Sequence, residues 1–526
     1  MKKITLKLTA VALVVIAVFW ACKPNEDAAN YLPLDVLQSC TVTEAEFNTW
    51  FVGGQATENG IVMPANSLTF GHKDNCDFYQ WSEQMFLWLT SNSGKTFEDG
   101  KRVFESPEFY TVSPEFQVVV GKDTLTQRKL IPHAKNILLS AVPALEKSFG
   151  VDSEEGQATG DALMTKDGAI VYYITMVNDV YAAFLTAVKN KKMSGNEFPT
   201  TQPALDSIIA YAKENHILLP NPDALAMEIK TSWVDASSIK DNSSYIIIDA
   251  MIPTYTKTPT RWTISGQTKA KLALIGMHVV GSTAGHPEMV WSTFEHKNNA
   301  PNLEYTYVDK NNVVKTRQAD GGKDWLLNSD VADGTYNQSH MNFEGDSIIA
   351  TFCGAPPKNT ISPSNTKRTK PWGFANGGVP NPENGTVAEA NSQVISINNS
   401  VISLLKGNDV RKNYIFIGST WTSGGAAPDG TSYACFNELN TNPGTAIGGS
   451  QLANSTMETY IQNGDAYSQD GSCFTCHSAS KPTLSPDYLS HVFNDLNPLY
   501  ISAPDGKFFN KQIEHTRTDK MHPLNK

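Results

Sequence analysis

The sequence predicts an α+β protein with a helical N-terminal part, a central and mostly antiparallel sheet, and a C-terminal segment with short helices. Between about residues 76 and 192, apolar residues recur at the spacing of a helix face. Between about residues 227 and 294, alternating or isoleucine- and valine-rich runs are typical of strands. The two stripes that indicate helices are Phe78, Trp81, Met85, Trp88 and Leu89, and Val177, Val180, Tyr181, Phe184 and Val188.

The later elements follow from the same reasoning. Strands are predicted over residues 227–233, 244–253 and 270–280. A stretch rich in proline and glycine from 353 to 386 predicts a long loop, because these residues interrupt regular structure. A helix over 387–405 and a strand over 413–418 come next, and a second glycine-rich loop runs to about residue 450. No internal repeat is visible.

Five residues near the C-terminus, Cys473-Phe474-Thr475-Cys476-His477, form a C-x-x-C-H segment, the attachment signature of c-type haem. Two thiols three positions apart on one helical turn can add to the two vinyl groups of a porphyrin. The adjacent imidazole then serves as the proximal iron ligand. The sequence therefore predicts one covalently bound haem c per chain.

Two other sites also use a C-x-x-C pair. A zinc site needs two further ligands, and the sequence contains no second C-x-x-C and no H-x-x-x-H. A thioredoxin-like pair starts a helix after a buried strand, whereas this segment is flanked by loop residues such as Gly471 and Pro482. Both comparisons favour haem.

The N-terminus predicts export. Lys2, Lys3 and Lys7 precede an apolar run over 8–21 that ends at Cys22. The run is shorter than the about 20 residues that span a bilayer, but it has the length of a signal-peptide core. The pattern resembles a bacterial lipoprotein signal over residues 1–21, with Cys22 acylated. An ordinary secretory signal with an incidental cysteine is the alternative, and bulky Phe19 and Trp20 leave it open.

Apart from Cys22, Cys473 and Cys476, the chain has four cysteines, and export would place them in an oxidising compartment. An even number in an oxidising compartment makes two disulfides plausible. Order along the chain favours the pairs Cys40–Cys76 and Cys353–Cys435, although four buried thiols are an alternative.

Charge and motifs exclude several classes of function. The net charge is −11, and beyond the signal region basic residues cluster only in short stretches such as 367–370. Nucleic acid is therefore not an expected partner. No G-x-S-x-G, phosphate loop or dinucleotide fingerprint is present, which argues against common hydrolases and nucleotide-dependent enzymes.

Several segments together carry a resemblance: 276–280, 291–301, 413–414 with Trp421, and 452–460. Over roughly residues 75–495 the chain looks like a family of exported bacterial "cytochrome c family" proteins, which carry one C-x-x-C-H at the end of a large domain that is otherwise unclassified. The resemblance implies haem c and export, but no established reaction.

The sequence does not identify the residue that would be the sixth ligand of the iron. His278, in an apolar strand, and Met521, near the chain end, are the leading candidates for the distal ligand. His491, on a helix predicted around 489–496, and Met457 are further candidates. For each of them a structural role is the competing interpretation, because a histidine or methionine in an apolar stretch is usually part of the core or the surface.

Glu295 and His296 are an adjacent acid and imidazole that could transfer protons or bind a second metal. On a strand, however, neighbouring side chains point to opposite faces, so the two are not expected to line one site.

These observations predict three parts: a signal peptide (1–21), a large α+β domain (22–450) and a haem c segment (451–526). The predicted function is that of a c-type cytochrome, anchored by lipid at Cys22 on the periplasmic side of a bacterial membrane or at the cell surface. It would act in electron transfer or periplasmic redox chemistry with a redox partner protein. Whether it is an enzyme stays open. The alternatives are a peroxidase-like or dehydrogenase haem enzyme and a binding lipoprotein with a structural haem.

Overall fold

The computed structural model describes residues 31–94, 100–120, 123–133, 139–140, 160–321, 324–329, 335–351, 360–373, 387–431, 442–463, 472–478 and 481–499. The predicted signal peptide, Cys22, Cys353, Cys435 and Met521 lie outside these ranges. Among the described residues, no helix has the length and apolar content needed to cross a membrane.

Seven α-helices lie within the described ranges: α1 (Glu44–Thr49), α2 (Asn75–Leu89), α3 (Asp179–Lys189), α4 (Gln202–Glu214), α5 (Val387–Leu404), α6 (Cys473–Cys476) and α7 (Pro486–Leu489). The strands there are β1 (Phe109–Val112), β2 (Phe116–Val120), β3 (Asp123–Gln127), β4 (Leu130–Pro132), β5 (Leu139–Ser140), β6 (Tyr172–Asn178), β7 (Met227–Asp235), β8 (Ile247–Lys257), β9 (Arg261–Thr283), β10 (His286–His296), β11 (Tyr305–Val308), β12 (Val314–Arg317), β13 (Met341–Glu344), β14 (Ser347–Ala350), β15 (Tyr414–Thr422) and β16 (Ala446–Gly448).

One large sheet organises the described part of the chain and confirms the predicted central sheet. Its main path is β16-β15-β10-β9-β7-β6-β1-β4, and every neighbouring pair on this path is antiparallel. The 23-residue strand β9 joins two regions. Its C-terminal half pairs with β7 and β10, and its N-terminal half pairs with β8 and β14. The short strand β5 is parallel to β8.

The prediction that helices dominate residues 76–192 is only partly correct. α2 contains the first apolar stripe, and α3 contains the second one from Val180 onward, whereas Val177 belongs to β6. Between them the chain forms β1 to β6. The difference has a physical cause: Tyr172 to Val177 is apolar except for Thr175 and is almost entirely buried, so the segment has no polar face from which a strand could be told from a helix.

The sheet is covered on both faces. On the first face, α2 and α5 pack against β10 and β15, and the aromatic rings of Phe86 and Phe294 stack with centroids 4.2 Å apart. On the second face, α3 packs together with the C-terminal segment. Tyr181 of α3 lies edge-on to Phe493, with centroids 5.7 Å apart, and Phe474 and Val492 belong to the same cluster. The C-terminal segment is therefore built onto the second face.

A disulfide joins Cys40 to Cys76 with a Cα separation of 5.3 Å, as predicted from chain order. It ties the segment before α1 to the first turn of α2. Replacing both cysteines by alanine is expected to lower the free energy of unfolding by about 2–4 kcal/mol, because the bond restricts a loop of 36 residues in the unfolded chain. Urea unfolding of the variant measures this loss, and an unchanged midpoint would contradict it.

Candidate haem-attachment site

The C-x-x-C-H segment forms a single helical turn, α6, as its spacing predicts. The backbone N–H of Ser472, the N-cap residue, donates to the Thr475 hydroxyl at 2.9 Å, which helps to fix the start of the turn. Phe474 is buried in the second-face cluster, whereas Cys473 is partly buried and Cys476 is exposed. Phe474 thus anchors the turn. The two thiols are not joined to each other by a disulfide.

His477 is held in one orientation by a backbone hydrogen bond. Its Nδ1 lies 2.7 Å from the carbonyl oxygen of Leu489, the last residue of α7. A carbonyl only accepts, so Nδ1 carries the proton and Nε2 presents its lone pair. Burial, together with the nearby His491, lowers the pKa of His477 well below its ordinary value. The imidazole is therefore neutral, which is the form that binds a metal.

Two aromatic side chains flank the His477 ring. Trp291 of β10 lies against it with centroids 4.2 Å apart. His491 stacks almost parallel to it, with centroids 3.9 Å apart and an interplanar angle of 10°. The predicted helix around 489–496 is wrong: α7 ends at Leu489, and residues 491–495 form turns. α7 begins at Pro486, before the predicted start at residue 489, and proline is a favoured residue at the first position of a helix.

A cavity of about 570 Å³ lies between the C-terminal segment and the second face of the sheet. Cys473, Cys476 and His477 line one side. The opposite side is a row of residues that are neighbours across four strands: Thr293 of β10, His278 of β9, Lys230 of β7 and Thr175 of β6. Alternation along each strand places these side chains on the same face.

A second row, two positions along each strand, continues this wall with Trp291, Val280 and Glu228. The buried Arg128 guanidinium also lines the cavity, and it forms an ion pair with Glu115 at 2.7 Å. The cavity volume is within the range of about 300–1,000 Å³ that is usual for small-molecule and cofactor sites.

Ionisable groups are concentrated in this wall. Burial lowers the pKa of Lys230, and the carboxylates of Glu458 and Glu228 only partly offset the effect. Burial raises the pKa of Glu228, whose carboxylate accepts a hydrogen bond from Ser490 at 2.6 Å. Burial alone would also raise the pKa of Glu458, but His278, Lys230 and the hydrogen bonds it accepts leave it below the usual value.

His278 is fully engaged by its neighbours. Its Nδ1 lies 2.9 Å from the Thr293 hydroxyl, and its Nε2 lies 2.9 Å from Glu458 Oε1. Glu458 also accepts the backbone N–H of Asn454 at 2.9 Å. For either ring nitrogen of His278 to bind iron, one of these hydrogen bonds would have to break.

The structure separates the predicted distal candidates. His278 and His491 both line the cavity. Met457 is fully buried and is not among the lining residues, and Met521 lies outside the described residues.

Glu295 and His296 point to opposite sides, as expected for neighbours on a strand. Glu295 pairs with Arg368 at 2.9 Å and accepts hydrogen bonds from the backbone N–H and the hydroxyl of Ser455. His296 stacks on Tyr245 with centroids 3.7 Å apart, and burial lowers its pKa to about 3. Both side chains are buried, and neither lines the cavity.

Lys230, Glu458 and Arg128 line the cavity but were not identified from the sequence. One signal was available for Lys230. The alternating strand 227–233 places Glu228 and Lys230 on one face, and two charged side chains on that face would be unusual if it were entirely covered by apolar residues. Glu458 and Arg128 belong to distant parts of the chain, so no local pattern indicates them.

The residues present fit a covalently attached haem c. Two thiols on one turn, a neutral imidazole with Nε2 available and a cavity on the same side are the donor set that this group needs. In contrast, no three histidine, cysteine, aspartate or glutamate side chains of the described residues are placed to share one metal ion.

Comparison with known proteins adds no assignment: no protein-family model, curated protein or solved structure matches the chain. The likeness to exported cytochromes of the c type remains a prediction from the residues quoted above.

Proposed function

We propose that the protein is an exported, lipid-anchored cytochrome that carries one haem c on Cys473, Cys476 and His477 and acts in electron transfer or periplasmic redox chemistry. The observation that carries this proposal is the 2.7 Å hydrogen bond from His477 Nδ1 to the Leu489 carbonyl. It leaves Nε2 for a metal beside two thiols at the edge of a cavity. A structural histidine makes the same kind of hydrogen bond, so it is the combination of this bond with two thiols on the preceding turn that favours a haem.

Each part of the site has a defined task in this proposal. The two thiols would add across the vinyl groups, so that each S–H hydrogen goes to the vinyl carbon next to the new C–S bond. His477 would bind the iron, and Leu489 would hold its ring in place. When bound, haem c supplies an iron centre that accepts and releases one electron.

The mouth of the cavity suits exchange of electrons with a partner protein. Cys476, Asp487 and His491 line the cavity and are exposed, whereas Phe474, Val492 and Leu489 behind them are buried. One side of the site is therefore open and the other is sealed by the second-face cluster. A redox partner would approach from the open side, near α6 and α7.

A haem enzyme acting on a small molecule is the second candidate, and a specific observation favours it. The cavity wall carries Glu228, Lys230, His278 and Glu458, and several of these groups have shifted pKa values. Such clusters in a cleft are typical of catalytic sites. A simple carrier has no need for them.

The direct test is the chain produced through a bacterial export pathway that attaches haem. We expect a haem absorption spectrum, and a haem that stays with the polypeptide after denaturation and extraction with acidified organic solvent. The intact mass should exceed that of the polypeptide by one haem. Recovery of a full-length exported chain without added mass would contradict the proposal.

The same preparation distinguishes the two candidates. A low-spin spectrum that does not change on addition of cyanide or peroxide indicates that both axial positions are filled, as in a carrier. A high-spin ferric spectrum with rapid ligand binding indicates an open position and supports the enzyme.

A further inference from the structure

We propose that the ammonium group of Lys230 forms an ion pair with a propionate carboxylate of haem c, and that it thereby orients the edge of the porphyrin that carries no thioether. This inference rests on the proposed function and deepens it. It gives a cofactor-binding role to a residue of the cavity wall that is neither a thiol nor a candidate ligand of the iron.

Lys230 belongs to the row of residues that forms one wall of the cavity. On β7 it stands between its cross-strand partners, Thr175 of β6 and His278 of β9, and all three line the cavity. Its side chain is partly buried. Within the described ranges its Nζ forms no hydrogen bond and no ion pair, and the centroid of the Tyr173 ring lies 5.9 Å away. That distance is near the outer limit of a cation–π interaction, so the ammonium group has no strong partner.

Two carboxylates attract the ammonium group through space, but other groups engage them. Oε1 of Glu458 lies 2.9 Å from Nε2 of His278, and its Oε2 accepts a backbone N–H at 2.9 Å. Glu228 accepts a hydrogen bond from the Ser490 hydroxyl at 2.6 Å. Neither carboxylate forms a direct ion pair with Lys230.

The guanidinium group that lines the same cavity differs in this respect. Arg128 pairs with Glu115 at 2.7 Å, so its charge is compensated within the protein. Of these two cations, Lys230 is therefore the one that the described residues leave without a carboxylate partner. A charge that is partly removed from water without a partner costs free energy. An anion that enters the cavity would offset this cost at Lys230.

Haem c brings an anion of the required kind. Its porphyrin carries two propionate carboxylates, and they lie on the edge opposite to the edge that carries the vinyl groups. A haem joined to Cys473 and Cys476 through its vinyl carbons therefore has its carboxylates on the edge remote from α6. Lys230 lies on the wall across the cavity from α6. An ammonium group and a carboxylate form a charge-assisted hydrogen bond, which is stronger than a neutral one.

Covalent attachment favours a propionate over a free anion as the partner of Lys230. The thioethers would keep both propionates beside the cavity at all times, so pairing with Lys230 becomes an intramolecular event. A small acid from solution would instead lose its translational and rotational freedom on binding. The propionate is therefore the occupant to which the structure points.

The test is solid-state NMR on the haem-loaded protein with two isotopic labels. Aminolevulinate labelled with ¹³C at its carboxyl carbon places the label on the propionate carboxyls, and lysine labelled with ¹⁵N at Nζ places it on the ammonium groups. We expect a ¹³C–¹⁵N dipolar coupling between one propionate and one lysine. In Lys230→Arg this coupling should be lost, because the positive charge stays but the labelled lysine nitrogen is absent.

Lys271→Arg is the matched control. Lys271 is 69% exposed, pairs with Asp249 at 3.1 Å and does not line the cavity, so this variant should keep the coupling. Both substitutions retain the charge and nearly the volume of lysine, so the comparison does not depend on a variant that fails to fold.

The proposal is overturned if the unaltered protein carries covalent haem and shows no coupling, or if the coupling persists in Lys230→Arg. A haem protein without coupling whose spectrum changes on addition of acetate, and no longer does so in Lys230→Met, would show that Lys230 binds a free anion instead, which also overturns the proposal. Absence of haem from the unaltered protein would instead overturn the proposed function itself.

Discussion

Replacing Cys473 and Cys476 together by alanine should abolish covalent haem attachment while leaving the fold intact. Both sulfurs lie on α6, at the edge of the cavity, where Cys473 is partly buried and Cys476 is exposed. Their removal deletes little packed volume, because only the Cys473 sulfur packs against buried residues, and Phe474 keeps its place in the second-face cluster. Without thiols no thioether can form, and any haem that remains would be held only through His477 and the cavity wall.

The measurement is haem staining after denaturing electrophoresis, combined with the intact mass. The chain offers a matched control in Cys40→Ala/Cys76→Ala, which also removes two cysteines but deletes the disulfide between the segment before α1 and the first turn of α2. That variant should be less stable and still carry haem. Covalent haem on the Cys473→Ala/Cys476→Ala protein would show that the attachment site lies elsewhere.

Replacing Arg368 by methionine should cost about 3–5 kcal/mol of unfolding free energy, because it leaves a buried carboxylate without its counter-ion. Arg368 and Glu295 are 1% and 0% exposed, and Nε lies 2.9 Å from Oε2. Glu295 also accepts two hydrogen bonds from Ser455, so the pair connects β10 to the segment that leads to the haem motif. Loss of Arg368 strains that connection.

Urea unfolding measures this effect, and an exposed ion pair provides the control. Arg261 lies 3.2 Å from Glu344, with side chains 49% and 62% exposed. Arg261→Met should therefore change stability by less than about 1 kcal/mol. The double variant Arg368→Met/Glu295→Gln should recover part of the loss, since no buried charge remains. Equal midpoints for Arg368→Met and Arg261→Met would show that the buried charge is compensated in another way.

Motif spacing, cysteine order and composition predict several parts of the molecule correctly. The turn from Cys473 to Cys476, the disulfide between Cys40 and Cys76, and helix α5 follow from spacing and composition, and the structure confirms them. The strands of residues 227–294 were also predicted, because residues 227–233 alternate and the later runs are rich in isoleucine and valine. The strand β6 is not evident from the sequence, since a buried and mostly apolar stretch lacks the alternation that indicates a strand.

No local pattern in the sequence shows which residues line the cavity of the candidate site. His278 and Glu458 are 180 positions apart, and Arg128 and Glu228 come from yet other strands. Their meeting depends on the register of β7, β9 and β10 and on the packing of the C-terminal segment against the second face. A shift of one residue in any of these strands would turn its cavity-facing side chains to the opposite face.

The proposed haem-attachment site is thus contained in five consecutive residues, Cys473 to His477, because its thiols and imidazole must share one turn. The environment that would tune that chemistry depends on long-range pairing. Hydrogen bonds and charges act across a few ångströms of space, and only the folded sheet brings His278, Lys230 and Glu458 within that distance of one another and of the cavity.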